Sequence, residues 1–308
     1  MPAPLQKNNP PQGGLAALLL FGKEVISLLG LIDVGGGMRG AYTAGIYDFL
    51  NDRGVQPFDC LVGVSAGSAN MVTYLARQRG RNHRFYTQYA FRKEYMSVKN
   101  ALRTGSYIDL DYVYTTLSGL GGEDPVDLDT FNADTAKYEV VVTDAATGEP
   151  VYYPKAMMAG GNFDAIKASC AVPGAARPYP VGGRLGFDGG LADPVPYRRA
   201  LEQGCDRIVV LLTRPRDYLR PPLARREMME RVLARWPAAY AALLRRAVRY
   251  NRDVEIVKEL EGQGKALLVA PSDISGMSTL KRDRAAIQRL YRMGYADGEK
   301  VLAFAQKG

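Results

Sequence analysis

Histidine is nearly missing from this chain: His83 is the only imidazole in 308 residues. It sits in RGRNHRFYTQ, a polar and basic stretch that reads as an exposed helix face, with no sign of the buried carboxylate that a Ser-His-Asp relay requires. A serine nucleophile in this protein would therefore need a different base. Cysteine is sparse too. Cys60, Cys170 and Cys205 are odd in number, far apart and set beside apolar or small residues, which argues against a disulfide framework and against a zinc site. Buried thiols in a reducing compartment, and no metal, are expected. No apolar run approaches the roughly 18 to 20 residues needed to span a bilayer. LAALLLF, Leu15 to Phe21, has the look of a weak secretory core, but Gly22-Lys23-Glu24 follows it where a small-residue cleavage site would stand. A cytoplasmic protein is expected, with any membrane contact peripheral, at the inner membrane surface.

What the chain does have is the composition of a globular protein, 47% hydrophobic and 23% charged. Residues 1–24, Pro-, Asn- and Gln-rich over their first half, read as a disordered leader, and residues 25–308 as a single domain. Apolar strands are expected at 25–34, 58–64, 138–143, 207–213 and 266–270, with a return strand at 151–153. Helices alternate with them, the pattern of a mostly parallel sheet covered on both faces. Residues 81–122, rich in tyrosine and charge, read as a helical insertion or cap. The net charge of +8 is local: eleven arginines, no lysine and three acids lie between Arg214 and Arg252, an excess equal to that of the whole chain. Met228, Met229, Val232, Leu233 and Trp236 share one helical face, and after Pro237 the spacing repeats in Tyr240, Leu243, Leu244, Ala247 and Val248. Two amphipathic helices follow, packed on the core, closing as a lid, or lying on an anionic lipid surface. No nucleic-acid motif accompanies the charge.

The residues with the clearest chemistry are FDCLVGVSAGSAN, Phe58 to Asn70. A short buried strand runs into Gly63-Val64-Ser65-Ala66-Gly67 and then a helix, so Ser65 stands at the apex of a nucleophile elbow, flanked by glycines where strand and helix crowd together. Upstream, Gly35 to Gly40 (GGGMRG) links another strand to a helix. Its G-x-G-x-x-G spacing also suits a dinucleotide, but the ribose-binding acid expected about 20 residues on is missing, and Ala41-Tyr42 in place of Lys-Ser or Lys-Thr excludes a P-loop. Successive amides at a helix N-terminus serve an oxyanion beside Ser65 equally well, with Arg39 adding a positive charge. For the base, a carboxylate acting directly on Ser65 is expected. Asp188, in a tight loop between a short strand and Gly189-Gly190, is preferred to Asp193, which precedes Pro194 and reads as a turn or capping residue.

These three pieces, GGGMRG, GVSAG and DGG (Asp188 to Gly190), occur in the order found in the patatin-like phospholipases, which the chain resembles over residues 30 to 300. ASCAVPG (Ala168 to Gly174) and DPVPY after the aspartate also look like the family. One departure is Asp33-Val34 before the glycines, where the family commonly has an acid directly beside them. The resemblance implies a three-layer α/β/α fold and hydrolysis of acyl esters in lipids by a Ser65-Asp188 dyad. The oxyanion would be held by Gly36, Gly37 and Met38 with Arg39 behind, and no cofactor is needed. The competing expectations are a catalytically silent lipid- or acyl-binding protein of the same fold, and a nucleotide-binding protein that uses the glycine turn.

Overall fold

The computed structural model describes residues 27–307, so the expected leader lies outside the described residues. Eight strands form one sheet: β1 (Leu28–Asp33), β2 (Cys60–Val64), β3 (Lys137–Asp144), β4 (Pro150–Pro154), β5 (Tyr179–Val181), β6 (Arg184–Asp188), β7 (Cys205–Leu211) and β8 (Ala266–Val269). Their order is β5-β6-β3-β2-β1-β7-β8, with β4 paired to β3 off that path. From β3 to β8 the neighbours run parallel, while β4, β5 and β6 add an antiparallel flank.

The central strands are buried almost throughout, as the near-continuous apolar runs LLGLID and CLVGV require of strands covered on both faces. Side-chain alternation then sorts the layers. Leu29 and Leu31 of β1 pack with α1 (Ala41–Asp52), α2 (Ala66–Leu75) and the C-terminal helix Arg284–Ala305, whereas Ile32 faces the opposite layer with Tyr250, Val254 and Val257 of the helix Pro237–Gly262. The result is a three-layer α/β/α fold with a mostly parallel central sheet. Two glycines let the C-terminal helix lie directly on α1: a Cβ at Gly45 would come within 2.1 Å of Tyr291 O, and one at Gly294 within 1.8 Å of Tyr42 O.

Residues 81–122 form short helices, Arg81–Thr87, Val98–Thr104 and a π-helical turn Tyr112–Leu117, the first of which packs against α1 and α2. The basic segment differs from its sequence reading in one respect. A short helix Arg226–Val232 precedes the expected break, but the helix after Pro237 runs on for 26 residues to Gly262. Met229, Leu233, Ala239, Ala242 and Leu243 bury their side chains against Phe187 and Leu191, so each apolar stripe is partly core, while Met228, Val232, Leu244 and Val248 stay exposed. No helix among the described residues is long and apolar enough to cross a membrane.

Candidate active site

Ser65 sits between the end of β2 and the start of α2, with φ 54° and ψ −131°. An L-residue enters this region only when its surroundings hold it there. The flanking glycines supply the room: a Cβ at Gly63 would come within 2.5 Å of Ser68 Cα, and one at Gly67 within 2.5 Å of Asp33 Oδ1. A residue that sequence reasoning missed completes the clamp. Ser169 Oγ accepts a hydrogen bond from Ser65 N at 2.8 Å and donates one to Val141 O at 2.6 Å, tying the elbow to β3. The serine side chain is buried but faces open space, 7% exposed.

Gly35, Gly36 and Gly37 all take positive φ, at 64°, 138° and 60°, which only glycine adopts at little cost. The turn is fixed from several sides. Gly35 N donates to Asp33 Oδ1 at 2.9 Å, Thr213 Oγ1 donates to Gly35 O, and Met38 N donates to Thr279 O at 2.9 Å. Met38 therefore spends its amide on the fold, contrary to its expected part in the oxyanion hole. The amides of Gly36 and Gly37 have no acceptor among the described residues and remain available. Arg39 is buried, with its guanidinium folded back beside Gly36 and 3.4 Å from Thr279 Oγ1.

Beneath the turn, Asp33 lies in full burial, which pushes its carboxyl up to about 6 against the opposing effect of hydrogen bonds from Gly35, Thr43 and Tyr47. The acid set one residue back from the glycines is thus the one that braces them.

Asp188 ends β6, and its Oδ1 accepts from Gly190 N at 2.8 Å, the turn-shaping bond of an aspartate loop. It faces the same cavity as Ser65, Gly36 and Gly37. No hydrogen bond joins Ser65 Oγ to Asp188 among the described residues. Asp193 lies outside this cavity and accepts from Tyr152 OH at 2.7 Å. His83, expected on an exposed face, is half-buried instead, tilted against the Tyr291 ring and paired with Gln288 away from the serine. The sequence surroundings of Cys170 suggest an ordinary buried thiol. It does lie beside the site, where burial pushes it up to about 12, so it is a poor thiolate despite its position near Ser65.

Two cavities meet at Ser65, sharing Gly37, Val172, Thr279 and Leu280. The first is narrow, about 70 Å³, and runs beneath the helices of residues 81–122 between Val72, Phe85, Ile108, Val113 and Leu117. The second, about 290 Å³, holds Gly36, Asp188, Arg39, Arg214, Arg220 and Arg246. A serine with free amides close by, an apolar slot on one side and a carboxylate on the other, has the parts needed to bind and cleave an acyl ester.

Comparison with known proteins points to one family. Residues 34–201 match the patatin-like phospholipase family and residues 236–305 match a domain of unknown function, DUF6363. The uncharacterized protein YjjU of Escherichia coli is 30% identical over 201 residues, which cover 63% of this chain and 54% of that one. An uncharacterized NTE family protein of Mycobacterium tuberculosis, Rv1063c, is 27% identical over 169 residues, 52% of this chain and 42% of its own. The chain thus spans about half the length of these relatives. VipD of Legionella pneumophila aligns over 90% of this chain and 67% of its own, with 15% identity and a TM-score of 0.46. With more than half its length matched and the elbow, glycine turn and aspartate loop falling inside the matched stretch, the chain belongs to the patatin-like phospholipase family.

Proposed function

We propose that this protein is a serine hydrolase of lipid acyl esters that works through Ser65 and Asp188. The observation that carries this reading is the position of Ser65 at the junction of the two cavities, next to the unpaired amides of Gly36 and Gly37. The acyl chain enters the apolar slot, which leaves the ester carbonyl beside Ser65. Asp188 accepts the proton of Ser65 Oγ as that oxygen forms a bond to the carbonyl carbon. The carbonyl oxygen becomes an oxyanion held by the two amides, with the Arg39 charge behind them. Collapse of the tetrahedral intermediate expels the alcohol, which takes its proton from Asp188. Water, deprotonated by the same carboxylate, then releases the fatty acid from Ser65.

A catalytically silent lipid-binding protein is the second reading, favoured by the bond from Gly190 N to Asp188 Oδ1, which a purely structural loop would also make. A fluorophosphonate probe separates the two, because it labels only an activated serine. Wild type should be labelled and should hydrolyse a p-nitrophenyl ester. Ser65→Ala should lose both, and Asp188→Asn should lose at least about a hundredfold in kcat while staying folded. Full activity in a pure preparation of either variant would remove the dyad.

A further inference from the structure

The second cavity carries far more positive charge than ester cleavage needs. Arg39, Arg214, Arg220 and Arg246 line it together, and Asp188 is the only acid in its wall among the described residues. None of the four arginines forms a salt bridge among the described residues. In each, the buried Nε has no hydrogen-bond partner there. Their neighbours in sequence behave differently: Arg216 pairs with Glu261 and Arg252 with Asp253.

The guanidiniums are also held in place. Arg214 lies over the Tyr218 ring at 4.2 Å and Arg220 over the Tyr250 ring at 4.7 Å, each stacked so that its fork is free to meet a ligand. Gly190 makes space for Arg246 beside the aspartate loop, since a Cβ there would come within 3.0 Å of both Arg246 Nη2 and Asp188 Oδ1. The four charges oppose one another. Burial first, then Arg214 and Arg246, pulls Arg39 down to about 10, and burial followed by Arg246 and Arg214 pulls Arg220 down to about 9. Gathering uncompensated cations in a partly dry cavity is unfavourable unless an anion completes the set. Arg214, Arg220 and Arg246 lie beyond residue 201, outside the stretch matched to the patatin-like family, and Arg246 and Tyr250 belong to the long helix that the unassigned domain covers.

We infer that Arg39, Arg214, Arg220 and Arg246 form a binding site for a phosphate monoester carried on the substrate, so that the enzyme selects dianionic lipids of the phosphatidate type over zwitterionic ones. This rests on the acyl hydrolase reading above and adds the substrate class to it. Arginine forks match phosphate oxygens in pairs, and two charges on one phosphate satisfy more of the cluster than a phosphodiester does. A quaternary ammonium attached to that phosphodiester would be repelled.

The test compares hydrolysis of dihexanoyl phosphatidate and dihexanoyl phosphatidylcholine. Wild type should favour the phosphatidate in kcat/KM by about tenfold or more, and Arg220→Gln should cut that ratio about tenfold. Arg220→Lys, which keeps the charge but loses the fork, should restore part of it, and Arg214→Gln should repeat the loss from a second position. A wild-type ratio near one, or a ratio that neither glutamine variant changes, overturns the assignment. A binding arm makes the result independent of turnover. In Ser65→Ala, the phosphatidate should raise Tm in a manner that Arg220→Gln abolishes, with phosphatidylcholine inert and inorganic phosphate weaker. Phosphate as effective as the lipid would make the ligand a free anion and refute the headgroup assignment. Hydrolysis that persists in Ser65→Ala would refute the dyad alone, with the binding arm still reading the arginines.

Discussion

The apolar cavity and the basic cavity open onto the same serine, yet different kinds of segment build them. The apolar slot is closed by short helices of residues 81–122, by Ile166 of the helix Asp164–Ser169 and by Cys170 and Val172 in the loop after it. The basic cavity is closed by the segment after β7 and by one face of the helix Pro237–Gly262. On the proposed function, one wall would select by burial of apolar surface, worth about 25 cal/mol per Å², and so respond gradually to chain length. The other would select by charge and hydrogen-bond geometry, where a missing partner has a sharp effect. In the proposed mechanism the chemistry is common to both, because Gly37 and Ser65 belong to each wall. Acyl preference and headgroup preference should therefore change independently, and only the shared residues should affect both.

The largest effect should come from the shared wall. Gly37 has φ 60°, and a Cβ on it would come within 2.2 Å of Thr279 O. Gly37→Ala has to shift the turn, which moves the Gly36 and Gly37 amides off the oxyanion and disturbs the Met38 N to Thr279 O bond. Loss of one such donor typically costs a hundredfold or more in kcat, so activity on every ester should fall by at least about that factor, whatever its chain or headgroup. A loss confined to charged substrates would mean that the turn serves the basic cavity alone.

A smaller and one-sided effect should follow in the slot. Val113 is buried on the π-helical turn and lines the narrow cavity. Val113→Phe fills space that a chain would occupy, at a strain of about 1–3 kcal/mol. The expected outcome is a shift toward short acyl esters by about tenfold in relative kcat/KM, with the phosphatidate to phosphatidylcholine ratio of short lipids unchanged. Assaying p-nitrophenyl butyrate against the palmitate would show it, and an unaltered chain-length profile would place the acyl group elsewhere.

How much of this was open to reading in the sequence follows from how local each feature is. The elbow, the glycine turn and the strands β1, β2, β3 and β7 are set by short-range sterics and by unbroken apolar runs, and both are visible along the chain. Ser169 was missed because its role depends on β3 passing beside it, a contact of residues 28 apart. Thr279 was missed for the same reason at greater distance, and with it the use of the Met38 amide. The C-terminal helix was missed although its glycines at 294 and 298 mark a close helix contact, since small residues at that spacing carry no signal without their partner. The basic segment was recognised as charged and amphipathic. Which arginines turn inward depends on the tertiary course of the segment after β7, and nothing in its composition separates Arg214 and Arg220 from Arg225 and Arg226.

The last prediction concerns stability and leaves catalysis untouched, because the residue it changes lies under both cavities and in neither. Asp33 is buried, accepts from Gly35 N and Tyr47 OH, and its carboxyl stands at about 6 against an ordinary 3.8. A carboxyl raised on folding binds its proton more tightly in the folded state. Its contribution to stability is therefore complete below about pH 4 and is lost as pH rises through about 6. At one pKa unit per 1.36 kcal/mol, that loss is on the order of 2–3 kcal/mol, an upper bound for a single site. Asp33→Asn keeps an oxygen for Gly35 N, and its amide donates to the Tyr47 hydroxyl once that hydroxyl rotates to accept. The variant should therefore gain on wild type as pH rises, measured as the difference in urea unfolding free energy at pH 4.5 and 7.5. Substrate selectivity should stay constant, because both cavities keep their walls. Parallel pH profiles would mean that Asp33 titrates as it does in the unfolded chain and that burial is offset in full by its three donors. Altered selectivity would mean that the brace under the glycine turn sets the shape of one cavity more than the other.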